Sequence, residues 1–354
     1  MCANPLFCDD VQSIMRGVLL RYPAAGEVRV NKSYIPRIGL LMLLGGVVPI
    51  VGCGDSGPDW PEKPGPKVVA SFPPLYCFVA NVGGDDVAVK PAMTSQGPHH
   101  FDPKHSDNLL LSKADLFFIN GLSLDEKPTE KMKAGSGNKN IKLIDLGTRF
   151  DKKELEKGCD CEDEEEGHDH HDHVHLVDPH VWLSPDMAIK QVEGIRDGLK
   201  EFDPTRGANY DSRAVGYIAK LNDLKAYGKE LFKDKKDKKF VTFHGSMAYF
   251  ARTFGLDIVD VIQKTPGKEP SGKAIEKLVK ACVDGKVRVI AVEPQYSGQA
   301  SAKRILDELR RKGIEDPVLV ELDPLETVQP LDLNPGWYEA KMRINLENLA
   351  KAMR

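Results

Sequence analysis

From residue 67 onward the chain alternates short apolar runs with longer polar or amphipathic stretches. Runs rich in β-branched residues fall at 68–71, 87–90, 116–120 and 141–146, and each is followed by a helix-compatible segment. Short apolar runs separated this way predict parallel strands joined by crossover helices. A second set falls at 240–243, 256–262, 287–292 and 318–322. The pattern therefore predicts an α/β protein with two lobes, each built on a roughly four-stranded, mainly parallel sheet.

A long helical tract separates the two sets. It opens near Pro185, breaks at Phe202-Asp203-Pro204 and runs on to about Lys233. Tyr210, Ala214, Tyr217, Ile218, Leu221, Leu224 and Leu231 recur at three- and four-residue spacing, which places most of them on one face. A helix of about 28 residues spans ~42 Å, enough to join two lobes as a rigid strut. Two ordinary bundle helices fit less well, because strand patterns flank the tract on both sides.

The segment before residue 67 reads differently. Residues 38–52 (IGLLMLLGGVVPIVG) follow Lys32 and Arg37 and end at Cys53. The run is short for a membrane span, which needs roughly 20 residues, but it suits the apolar core of a secretory signal. The residues Ile50-Val51-Gly52-Cys53 resemble a bacterial lipobox, in which cleavage leaves Cys53 to be acylated. Residues 54–66 (GDSGPDWPEKPGP) are rich in glycine and proline and are expected not to pack, forming a flexible tether. The thirty-odd residues before the apolar run are long for a signal and imply an early gene start or an unusually long leader. The expected organisation is a leader and lipoprotein signal at 1–53, a tether at 54–66, an N-terminal lobe at 67–184, a helical segment at 185–236 and a C-terminal lobe at 237–354.

At 354 residues and 41% apolar content the chain can build two real cores. Its formal charge of −4 gives no basic surface for nucleic acid. Of its cysteines, Cys2 and Cys8 leave with the leader. Cys77 and Cys282 fall in different predicted lobes and are not expected to pair.

The ten histidines cluster in ways that point to metal. His99 follows the second predicted strand in GPHHFDPKHSD. His180 lies in DPHVWLSP, just before a helix that Ser184 caps and Pro185 opens. His244 ends the strand FVTFH. Ligands in open parallel sheets bind beyond the carboxyl ends of strands, so these three rings can converge on a cleft between the lobes. Three neutral imidazoles suit zinc and leave one position for a carboxylate or water. Asp323, in VLVELDPLE, is the candidate carboxylate, although an Asp before Pro is as readily a turn former. Glu293, in VEPQYS, competes for that position or orients a ligating histidine from behind. His100 is an alternative to His99.

The segments GPHHFDPKHSDNLLLSKADLFFINGLSLD, DPHVWLSP, FHGSMAYFARTFGL, PGKEPSGKAIEKLV, VEPQYS and ELDPLE occur in this order. Together they resemble the zinc/manganese solute-binding proteins of bacterial ABC importers (cluster A-I), on the zinc-uptake branch, over nearly all of 67–354. The resemblance implies two α/β lobes joined by a long rigid helix, with metal held between them. It also implies ligand roles for His99, His180 and His244, and a carboxylate or open position at Asp323. Some zinc-specific relatives place Glu before the first histidine; Pro98 stands there in this chain and favours Asp323.

The same four donors could hold zinc or manganese. Zinc binds more tightly in open competition, whereas manganese prefers more oxygen. Residues 159–175 (CDCEDEEEGHDHHDHVH) favour zinc, since His168, His170, His171, His173 and His175 sit among acids that alone would suffice for solubility. The backbone there is expected to form a solvated loop. Such loops are typical of zinc-importing relatives. Cys159 and Cys161 add soft ligands that would raise zinc affinity, form a local disulfide or favour copper or nickel.

The leading expectation is an extracytoplasmic, membrane-anchored lipoprotein, monomeric and not an enzyme. It would pass Zn2+, or alternatively Mn2+, to an ABC permease. A zinc hydrolase is the alternative of another class, because three histidines and a water can also be catalytic. No HExxH or GxSxG motif supports it, and Glu293 is its sole candidate base. A metal-carrying surface adhesin would differ mainly in its partner.

Overall fold

The computed structural model describes residues 59–158, 177–264, 267–295 and 300–354. Cys53, Cys159, Cys161 and the histidines at 168, 170, 171, 173 and 175 lie outside the described residues. Two parallel four-stranded sheets organise the rest. The first contains β1 (Lys67–Ala70), β2 (Ala88–Pro91), β3 (Leu116–Ile119) and β4 (Lys142–Asp145), in the order β2-β1-β3-β4. The second contains β5 (Lys239–His244), β6 (Asp257–Gln263), β7 (Val289–Val292) and β8 (Val318–Glu321), in the order β6-β5-β7-β8. The two orders are the same topology repeated, and every observed strand overlaps its expected run to within a few residues.

The central strands divide their residues between two cores, which is why their runs are apolar on both faces. On β3, Leu116 and Phe118 face one cluster while Phe117 and Ile119 face another. On β7, Val289 and Ala291 face the first cluster while Ile290 and Val292 face a third. The first cluster continues from one lobe into the other, since it contains both Val68 and Phe240. The helices α1 (Pro73–Gly83), α4 (Pro185–Phe202), α5 (Gly207–Phe232) and α9 (Trp337–Ala352) supply its middle.

The expected strut is α5, with 26 residues and therefore a length of about 39 Å. It packs on α1 and α4 in the first lobe, and on α9 and α6 (Ala248–Phe254) in the second. Tyr210, Ala214, Tyr217, Leu221 and Leu224 are buried as the spacing required. At the far end the buried positions are Gly228 and Phe232, with Leu231 only half-buried. A Cβ on Gly228 would lie 2.3 Å from Phe254 Cε1, so the close approach of α5 to α6 requires glycine there.

Two local expectations change. Ser184 sits at the N-cap of α4, but its side chain accepts no capping bond; Thr253 donates its hydroxyl hydrogen to Ser184 Oγ at 2.7 Å. The stretch expected to be a free tether is not free from residue 59 onward. Trp60 packs on the first lobe, with Lys90 Nζ 5.6 Å from its ring, and Lys63 pairs with Asp85 at 2.5 Å. One large aromatic surface outweighs the surrounding prolines and glycines. Cys77 in α1 and Cys282 in α7 (Gly272–Gly285) are both buried free thiols.

Candidate metal centre

His244 is the last residue of β5, on the side where the second sheet switches direction between β5 and β7. His180 enters from the first lobe, just before the 3-10 turn Val181–Leu183. Its preceding carbonyl, on Pro179, accepts a 3.1 Å bond from the Asn120 amide, which follows β3. His99 lies in the 3-10 turn Pro98–His100, reached from β2. The fourth member is Glu326, five residues beyond the end of β8.

These side chains present His99 Nε2, His180 Nε2, His244 Nε2 and Glu326 Oε1 to one another. The His99–His180 and His180–His244 nitrogens are 3.1 and 3.3 Å apart. Glu326 Oε1 lies 3.3 Å from His99, 3.2 Å from His180 and 3.5 Å from His244. A tetrahedral ion with zinc-like bonds of ~2.0–2.1 Å would need donor–donor edges of about 3.3–3.4 Å. The five distances bracket that value. His180, His244 and Glu326 are buried, and the His99 side chain is 7% exposed. Glu326 Oε1 is buried yet accepts no hydrogen bond from any described residue. A buried oxygen without a donor, facing three ring nitrogens, suits a cation.

The far side of two rings is held by carboxylates. His180 Nδ1 donates to Asp178 Oδ1 at 2.7 Å, and His244 Nδ1 donates to Glu293 Oε1 at 2.6 Å. In the neutral ring, the form that can bind a metal, both contacts hold the proton on Nδ1 and turn the Nε2 lone pair toward the centre. Glu293 thus takes the orienting role that the sequence left open. Burial disfavours the charged form of every ring. At His99 it prevails and lowers the pKa despite the Glu326 carboxylate. At His180 burial is outweighed by Asp178 with help from Glu326, so the pKa rises. At His244 burial is likewise outweighed, by Glu293 and Glu326, and the pKa reaches about 10. Burial would raise the Glu326 pKa, but the three imidazoles hold it well below the usual carboxylate range.

Asp323 is a correction. Its carboxylate does not reach this cluster: Oδ1 accepts the Leu325 amide at 2.8 Å and Oδ2 meets Lys341 Nζ at 3.1 Å. Its backbone is paired with Asn345 through both N–H and C=O, at 2.9 and 2.7 Å. It is the turn former, and Glu326 at the end of the same ELDPLE segment is the carboxylate brought to the histidines. Burial raises the Asp323 pKa, against the opposing pull of the Leu325 amide and Lys341. His100, the alternative to His99, is exposed and outside the cluster. Asp178 also went unread, although a carboxylate two residues before a histidine is a simple signal for a ring partner.

Two α/β lobes on one long helix, with a buried three-histidine, one-carboxylate cluster between them, define a two-lobed α/β protein with a candidate metal centre in the cleft. The chain belongs to the family described as ZnuA, zinc-uptake complex component A periplasmic, whose model matches residues 68–352. It is 32% identical over 295 residues to the zinc-binding protein AdcA of Streptococcus pyogenes serotype M3 (strain ATCC BAA-595 / MGAS315), covering 80% of this chain and 55% of that protein. The chain therefore spans about half the length of the AdcA proteins that it matches. It is 30% identical over 321 residues to the high-affinity zinc uptake system protein ZnuA of Bacillus subtilis (strain 168), covering 89% of this chain and 97% of that protein. Among solved structures, a crystal structure of ZnuA aligns with TM-score 0.67 and 27% identity, covering 82% of this chain and all of that one.

Proposed function

We propose that this protein captures zinc outside the cytoplasm and delivers it to an ABC permease in the membrane. The observation that carries this reading is the spacing of His99, His180, His244 and Glu326, 3.1–3.5 Å in the five measured edges. Three nitrogens and one oxygen at a tetrahedron's edge length suit zinc better than manganese, which prefers more oxygen donors. The zinc-binding and zinc-uptake relatives support the same metal. Four protein donors also leave no open position for a reacting water, which disfavours the hydrolase reading. Lipid attachment at Cys53, loose zinc uptake by His168, His170, His171, His173 and His175, and action as a monomer belong to this proposal and rest on the sequence.

The test is competitive titration of zinc and manganese against a chelator of known affinity, with and without residues 159–175. Tight zinc preference that survives removal of 159–175 supports the reading. Manganese preference in the shortened protein overturns the zinc assignment. Unchanged zinc binding after His180→Ala and His244→Ala in that protein overturns the site.

A further inference from the structure

Glu326 reaches the histidines from a turn that no glycine eases. Leu325, immediately before it, has φ 63 and a wholly buried side chain, so its backbone sits in the left-handed region where an L side chain is strained. Such a conformation persists only when its surroundings impose it, and three tethers do so here. Asp323 Oδ1 accepts the Leu325 amide from within the turn. The Trp182 indole donates from Nε1 to the Pro324 carbonyl at 2.8 Å. Beyond Glu326, the Val328 amide donates to Thr94 O at 2.9 Å. The last two bonds come from the first lobe, although the turn follows a strand of the second.

Trp182 stands two residues after His180, so a single side chain ties the His180 segment to the Glu326 turn. Its own carbonyl accepts the Tyr338 hydroxyl of α9 at 2.6 Å, and its ring packs edge-on against Phe72 at 4.6 Å. Trp182 is thereby held through its backbone by Tyr338 and through its ring by Phe72. With the turn held, Glu326 presents Oε1 to all three rings, while Oε2 lies toward Gly97, 3.2 Å from where a Cβ on that glycine would stand. A freer turn would let the carboxylate rotate and offer both oxygens, raising the coordination number. Zinc is content with four donors, and manganese gains from the fifth and sixth.

We infer that Trp182 is a positioning residue that sets the zinc-over-manganese preference of this centre, by locking the strained Pro324-Leu325 turn so that Glu326 supplies one oxygen. This rests on the metal-site reading above. The experiment compares the purified full-length protein with Trp182→Phe, which keeps an aromatic ring and removes the indole N–H. Zinc and manganese affinities are measured by chelator competition, the visible spectrum of the cobalt(II)-loaded protein reports coordination geometry, and a metal-free melt checks the fold. The expected result is a cooperative melt with zinc affinity about 10–100-fold lower, as for other lost outer partners of a metal site. The zinc-to-manganese ratio should narrow, and the intense tetrahedral cobalt bands should weaken. A folded Trp182→Phe with unchanged affinities and an unchanged cobalt spectrum overturns the inference. Should that variant not fold, Asp323→Ala frees the same turn from another of its three tethers and is read by the same criteria. Glu326→Gln separates the two levels: if it binds zinc like the parent, the site reading itself fails. If it loses zinc while the tether variants do not, only the role of Trp182 fails.

Discussion

Glu293 Oε1 accepts two bonds from His244, one from ring Nδ1 at 2.6 Å and one from the backbone amide at 3.3 Å. Glu293 follows β7 and His244 ends β5, so two adjacent strands of one sheet fix both the ring and its tautomer. Removing the acceptor frees the imidazole to rotate and to move its proton to Nε2. Glu293→Ala should weaken zinc about 10–100-fold, with partial recovery in Glu293→Gln, which keeps an acceptor. Chelator competition decides; equal affinities for all three proteins would deny Glu293 this role.

The fourth donor is tested by two neighbouring carboxylates. Glu326→Ala removes the one oxygen facing the three rings and should lower zinc affinity beyond the ~100-fold that an outer partner can account for. Asp323→Asn keeps an acceptor for the Leu325 amide and should stay within a few-fold of the parent. Calorimetric titration of both variants gives the comparison, and an equal loss would return the ligand role to Asp323.

Asp125 makes the fold itself pH-dependent. Its carboxylate accepts the amides of Asn120 and Gly121 at 2.8 and 2.9 Å, supporting a loop in which Gly121, Leu122 and Ser123 all have positive φ. Burial, only partly offset by hydrogen bonds, lifts its pKa to about 7. A raised carboxyl pKa means the folded state binds the proton more tightly than the unfolded chain, whose Asp titrates near ~3.9. Between these two values folding therefore takes up protons, and stability falls as pH rises, levelling off above the folded pKa. Metal-free protein should unfold at lower denaturant at pH 7.5 than at pH 5.5. Asp125→Asn should reduce that difference, the remainder coming from His180 and His244, whose raised pKa values act in the same direction, and an unchanged slope would remove Asp125 as a source.

Much of this was legible beforehand because short apolar runs and a long amphipathic tract are local signals. The runs at 116–120 and 287–292 gave β3 and β7, whose own residues are all buried on one face or the other. The helical period carried on correctly through Leu224, and then led to Gly228 and Phe232 rather than Leu231. A glycine carries no hydrophobic mark even where contact demands it. His244 was readable as the end of a strand, His180 as a residue just ahead of a Ser-Pro helix start, and His99 as part of the loop that follows a strand. Glu326 was not, since its reach depends on a left-handed Leu325 held by Trp182, a residue over a hundred positions away. The quoted segment ELDPLE held both carboxylates, and only the tertiary turn chooses between them.

The glycine at 228 makes its own prediction. In an exposed helix, Gly→Ala gains roughly 1 kcal/mol of propensity. Here the added methyl would press on Phe254, whose ring is wedged against Phe250 at 4.9 Å and Phe232 at 6.2 Å and cannot yield. Overpacking of this kind costs about 1–3 kcal/mol, so Gly228→Ala should be net destabilising and Gly228→Val more so. Denaturant melts measure it, and a stabilised Gly228→Ala would mean that α5 and α6 are less tightly joined than the geometry implies.

Metal should stabilise the protein through donors on both sides of the lobe boundary. His99 and His180 belong to the first lobe, while His244 ends a strand of the second. An ion bound by the folded chain alone adds about 4 kcal/mol when present at ~1,000 times its dissociation constant. For a chain of this size that corresponds to a melting shift of about 5 °C. A chelator should reverse the shift, and His180→Ala should abolish it while leaving the metal-free melt close to the parent's. A shift that persists in His180→Ala, with residues 159–175 also removed, would place the stabilising ion somewhere other than this centre.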